Sequence, residues 1–146
     1  MNHKENDMNI KEVLKKHEMW LNGEDGGEKA DLRSADLRSA DLRSANLHSA
    51  DLHSADLRSA DLRYADLEGI KGYSESHDIF TELCRQQKSK TFTEKEWAII
   101  GFVSIHRICW DSIKQRYGKK IMPIFKKLSK KGWGEFAEKY IRILKG

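Results

Sequence analysis

Six histidines, two cysteines and 23 carboxylates are the side chains of this 146-residue chain with chemistry for proton transfer, nucleophilic attack or metal ligation. Their spacing assembles none of those activities. His48 and His53 stand five apart in a polar stretch, where a solvated face accounts for them without a metal ion. His106 falls inside an apolar run and is expected to be a packed core histidine. His17 shares a stripe with Ile10, Val13, Leu14, Trp20 and Leu21 and is expected to pack at a boundary. Cys84 and Cys109 lie in helical patterns with no partner at ligand spacing, which predicts buried thiols in a reduced compartment. The chain contains no Gly-x-Ser-x-Gly elbow, no Walker-type Gly-Lys-Ser/Thr, no His-Glu-x-x-His and no Cys-x-x-Cys. These residues predict no enzymatic activity, no cofactor and no metal.

The carboxylates belong to a larger pattern. From Ala30 to Gly69 the chain repeats one five-residue word eight times without a break, beginning Ala-Asp-Leu-Arg-Ser and ending Ala-Asp-Leu-Glu-Gly. Ala, Leu and Arg are strong helix formers, yet the period forbids a helix. At ~100° per residue a Leu in every fifth position advances by ~140°, so the leucines would wind around all sides. On a straight strand an odd period throws them onto alternate faces. A chain that runs extended through Ala-Asp-Leu and bends at the next two residues gathers Leu32, Leu37, Leu42, Leu47, Leu52, Leu57, Leu62 and Leu67 around one axis. Ala points inward with Leu; Asp and the two bend residues point out.

The motif resembles the pentapeptide-repeat family, whose pattern is Ala-Asp/Asn-Leu followed by two variable residues. All eight units comply. The resemblance implies a right-handed, four-sided β-helix of about two coils, with residues 20 apart stacked and a height of about 10 Å. It places His48 near Glu68, His53 near Arg33, Arg38 near Arg58 and Arg43 near Arg63. A coil that short exposes its leucine stack at both ends, so caps are required. Asp or Asn at each bend is expected to bond its own backbone, with the Arg two residues on neutralising it.

The flanks read as helices. Asn9 is expected to cap a helix over 9–22 that Asn22-Gly23 stops, with Trp20 and Leu21 plugging the first coil. Ile70 takes the Ala position of an incomplete ninth unit, and Lys71-Gly72 breaks the period. Ser76 is expected to open a helix carrying Ile79, Phe80, Leu83 and Cys84. The box Thr93-x-x-Glu96 opens a helix over roughly 94–116, apolar nearly all round and therefore predicted to be central and buried. A short helix around Ile121, Ile124, Phe125 and Leu128 ends at Gly132, and a last one covers 133–144. The division expected is an N-terminal cap and lead-in at 1–29, a β-helix at 30–70 and a basic α-helical domain at 71–146. This layout resembles, more loosely, pentapeptide-repeat proteins of bacteria and their phages.

Charge is unevenly distributed. Residues 1–29 hold five lysines against seven acids, a net of −2; residues 30–69 hold five arginines against eight acids, a net of −3; residues 70–146 hold 17 cations against eight acids, a net of +9. With no run of 18 apolar residues and a polar N-terminus, a cytoplasmic protein is expected. The leading functional expectation is a non-catalytic interaction or scaffold module whose coil is a rigid platform, with an unidentified protein partner or self-association. The alternative is nucleic-acid binding through Lys114, Arg116, Lys119, Lys120, Lys126, Lys127, Lys130 and Lys131. Some relatives inhibit or protect gyrase by mimicking DNA, but here the rod is short and an Arg stands beside nearly every Asp. A phage-borne inhibitor of a host defence system is a further option drawn from the looser resemblance. Tyr64, the one bulky residue in a bend position otherwise held by Ser, is expected either to anchor a partner or to pack under the helical domain.

Overall fold

The computed structural model describes residues 3–146, with side chains from Ile10 onward. The chain forms two compact units, Met1–Asp78 and Ile79–Gly146. In the first, the helix α1 (His3–Leu21) precedes the repeats. It begins well before Asn9, which therefore sits inside the helix and does not cap it; the Asn9 side chain lies outside the described residues. The helix ends at Leu21, ahead of Gly23 at φ +69°.

Each repeat is a turn. The N–H of the residue opening the next unit returns to the Leu carbonyl three residues earlier, as in Ala35 to Leu32 at 3.1 Å and Ala50 to Leu47 at 2.9 Å. The fifth residue of every unit has positive φ, 55–62° in Ser34 through Tyr64 and 68° at Gly69. Positive φ at the third turn position is the mark of a type II turn. The Asp or Asn side chain locks the other end, accepting from the backbone N–H two residues on at 3.0–3.2 Å in all eight units.

Four turns bring the chain back over itself. Asp31, Asp36, Asp41 and Asn46 bridge in parallel to Asp51, Asp56, Asp61 and Asp66, and Asp51 bridges onward to Lys71. Leu N–H groups of the lower layer donate to the upper Asp carbonyls at 2.9–3.0 Å. The eight leucines point inward and are 0–5 % exposed. Burying each contributes roughly 1.5–3 kcal/mol.

The right-handed β-helix expected over 30–70 is not what forms. Among the described residues there is no β-strand: the layers are joined by isolated bridges and by Ser N–H bonds to carbonyls of the next layer at 2.8–3.0 Å, and regular structure is helical. The cause is local. The turn from Leu to the next Ala takes four of five residues, so only the Asp position pairs and no ladder gains a second consecutive rung.

The second unit contains most of α2 (His77–Arg85), then α3 (Glu94–His106), α4 (Trp110–Tyr117), a 3₁₀ turn over Gly118–Ile121, α5 (Met122–Ser129) and α6 (Glu135–Lys145). Thr93 and Glu96 form a full capping box on α3. The helix expected over 94–116 is broken: Arg107 adopts φ 47° and its N–H returns to the Val103 carbonyl. Breaking there turns the chain so that Trp110 and Ile113 enter the core. Of the α3 side chains only Glu96, Ile100 and Val103 are buried, so α3 is a surface helix rather than a central one. His106 is accordingly exposed, against the expectation of a core histidine, and its ring lies 4.3 Å from that of Phe102. Phe80, Trp110, Phe125, Phe136 and Tyr140 form the core, with neighbouring ring centroids 5.3–6.4 Å apart. No helix among the described residues is long and apolar enough to cross a membrane.

Candidate interaction surfaces

The N-terminal end of the coil is closed by a histidine. His17 is 0 % exposed. Its Nδ1 accepts from the Ala30 N–H at 3.0 Å, and its Nε2 lies 2.8 Å from the His48 carbonyl. An acceptor Nδ1 and a donor Nε2 define the neutral imidazole with its proton on Nε2. Burial holds its pKa below 6.5, against the raising effect of the His48 carbonyl. Trp20, expected as the plug, is 40 % exposed and stacks on the outer side of His17 at 5.5 Å; Leu21 is half-buried. The ring meets both backbone groups, whereas an indole, a donor only, would leave the Ala30 N–H without an acceptor and a leucine would satisfy neither. Gly27 makes the approach possible, since a Cβ there would fall 2.3 Å from the Trp20 nitrogen.

The outer faces of the coil are largely self-neutralised. Arg33, Arg38, Arg43, Arg58 and Arg63 each grip the Asp two residues earlier through Nε and Nη2 at 2.5–2.9 Å. Arg38 and Arg43 also reach Asp56 and Asp61 in the layer above, at 3.9 and 3.8 Å. Hydrogen bonding by these arginines lowers the Asp31 and Asp41 carboxyls to about 2. His53 bonds Asp51 at 2.5 Å in place of an arginine.

One face departs from this scheme. Units 46–48 and 66–68 stack Asn46 and His48 against Asp66 and Glu68, with no arginine between them. His48 Nδ1 is 4.0 Å from Glu68 Oε2, and one donor atom from each of His48, Asp66 and Glu68 lies within 4.8 Å of the other two. These are the residues of the coil that could hold a divalent cation. Tyr64 projects from the next corner with 72 % of its surface exposed.

Three of the eight cations grouped by sequence are engaged by groups of other elements. Lys114 Nζ donates to the Ile143 carbonyl at 2.7 Å, Arg116 lies 4.0 Å over the Phe102 ring, and Lys127 pairs with Glu96 at 2.6 Å. Sequence spacing could not foresee these partners, which come from other elements. Lys119, Lys120, Lys126, Lys130 and Lys131 remain exposed. Cys109, expected to be a buried thiol, is exposed; hydrogen bonding with Ser112, at 3.1 Å, keeps its pKa below the ordinary thiol value. Cys84 is buried, and burial raises its pKa.

Sequence reasoning missed a groove of about 540 Å³ between α5 and α6. Met122, Pro123, Ile141 and Leu144 provide its apolar surface, and Lys119, Lys126 and Lys145 line it with charge. Ile141 and Leu144 continue the apolar face of α6 beyond Phe136, Ala137 and Tyr140, yet Ile141 is 39 % exposed.

No curated protein and no solved structure matches the chain. The family model for pentapeptide repeats matches residues 30–69 in eight copies, and that segment of the chain is a pentapeptide-repeat array.

Proposed function

We propose that the chain is a non-catalytic protein-interaction module in which the repeat array serves as a stiff platform. The observation that carries this reading is the internal saturation of the array. Its leucines are buried, its layers are bonded through the backbone, and five of its seven aspartates are gripped bidentately by arginine. Such a surface holds its shape and offers no concave cluster of nucleophile, base and oxyanion donors. It also argues against DNA mimicry, which needs about one uncompensated negative charge per 1.7 Å. An interaction role fits the family of the repeats.

Nucleic-acid binding is the second reading, favoured by the five exposed lysines of the helical unit. Capture from a lysate of the producing cell, with and without nuclease, separates the two. A discrete protein band that survives nuclease is the expected result; capture that vanishes with nuclease refutes the interaction reading. A gel shift at about 50 mM salt checks the second reading directly, because phosphate contacts are strongest at low ionic strength.

A further inference from the structure

We propose that the groove between α5 and α6 seats an acidic amphipathic helix contributed by a partner protein, an inference that rests on the protein-interaction reading above. The groove combines an apolar floor with a rim of one sign of charge. Met122 and Pro123 from α5 and Ile141 and Leu144 from α6 form the floor; Lys119, Lys126 and Lys145 stand around it, and no acid lines it. Among the described residues none of these three lysines makes an ion pair. A helix laid into such a groove buries residues at i, i+3, i+4 and i+7 and places the flanking positions against the rim. Glutamates or aspartates at those flanks complement the lysines and suppress cationic competitors.

Two other occupants fit less well. A nucleic acid would satisfy the lysines but not the floor, which has no aromatic ring on which a base could stack. A second copy of the chain would have to offer an apolar side chain with acids beside it. Among the described residues the other exposed large apolar side chains are Trp20, Tyr64 and Ile105. Lys29 lies 5.6 Å over the Trp20 ring, Arg63 precedes Tyr64, and His106 and Arg107 follow Ile105. The cations or histidine beside Trp20 and Ile105 would be brought towards the lysine rim, and Tyr64, whose Arg63 is already held by Asp61, sits at a turn with φ 62° and offers no helix to lay into the groove.

The test uses the full chain and a fluorescein-labelled synthetic helix of about 18 residues, with Leu at i, i+3, i+4 and i+7 and Glu on its other faces. Its control is the same composition in scrambled order. Fluorescence anisotropy should show tighter binding of the ordered peptide, weakening as salt rises from about 50 to 300 mM. Ile141→Glu should weaken binding by roughly tenfold or more, the loss of one apolar anchor. Lys126→Glu should weaken it too, while Lys130→Glu, the same change in charge but off the groove, should leave it within roughly twofold. Circular dichroism melts establish that each variant is folded; Ile141 and Lys126 are both exposed. Equal binding of the scrambled peptide, unchanged binding by Ile141→Glu, or displacement of the peptide by duplex DNA overturns the proposal. A protein captured from lysate equally well by Ile141→Glu also overturns it, yet leaves the interaction module standing.

Discussion

Replacing His17 with alanine removes both hydrogen bonds that close the first coil and strands the Ala30 N–H and the His48 carbonyl. Leaving a buried polar group unsatisfied costs about 1–3 kcal/mol, so His17→Ala should destabilise the first unit by roughly 2–4 kcal/mol, allowing for partial rehydration. The same geometry fixes a pH dependence. The folded state holds the imidazole neutral, with its pKa below 6.5, because burial disfavours the charged form and Nδ1 is already occupied as an acceptor. The unfolded chain therefore takes up a proton that the folded chain refuses. Stability from this residue is fully present above pH 6.5 and falls as pH drops from 6.5 towards the lower folded value. The slope is at most about 1.4 kcal/mol per pH unit in that window. Urea titrations at about pH 7.5 and about pH 5.5, with hydrogen–deuterium exchange of residues 30–49 as the readout, measure both effects. Wild type should lose protection at the lower pH, and His17→Ala should start lower and lose less. A variant within about 0.5 kcal/mol of wild type, or an equal acid loss in both proteins, would refute the reasoning.

Other outcomes follow from the array. Leu47→Ala, at a position 0 % exposed, should cost about 2–5 kcal/mol in urea unfolding of the first unit. Tyr64→Gly relieves a non-glycine residue at φ 62° and should raise the stability of the unit by about 1 kcal/mol in the same titration. Glu68→Arg supplies Asp66 with the arginine its neighbours have; it should stabilise the unit by at most about 1 kcal/mol, seen as a slightly higher melting temperature, and remove one of the three donors of the His48, Asp66 and Glu68 cluster. The Asp–Arg pairs should resist acid longer than the His17 cap. Asp31 and Asp41 sit near 2 rather than 3.8, so their contribution persists above pH 3.8 and is lost only as pH falls from there towards 2, which an acid titration followed by circular dichroism would register.

What the primary structure determines is the register. A five-residue period with Leu at its centre is incompatible with a helix or a straight strand, and it follows from local sterics that the chain must turn at every unit. The Asp side-chain bonds to the backbone were legible for the same reason, since both partners lie within three residues. So was the capping box at Thr93, and so was the departure of the face holding His48 and Glu68 from the arginine pattern.

What lay beyond the sequence depends on groups brought together from afar. Extended segments were foreseen where the structure has only isolated bridges, because the turn geometry leaves one residue per unit to pair. Trp20 and Leu21 are the apolar candidates for the plug, yet the coil end presents a backbone N–H and a carbonyl, which call for a side chain that accepts and donates at once, as the His17 ring does. The break after α3 was decided by the core, which draws in Trp110 at the cost of a left-handed Arg107. The basic run divided because Glu96, Phe102 and the Ile143 carbonyl claim three of its members. Local conformation is set by neighbours in the chain, and was readable. Which side chains are satisfied, and which are left facing outward from a groove, depends on partners many residues away, and only the folded packing supplies them.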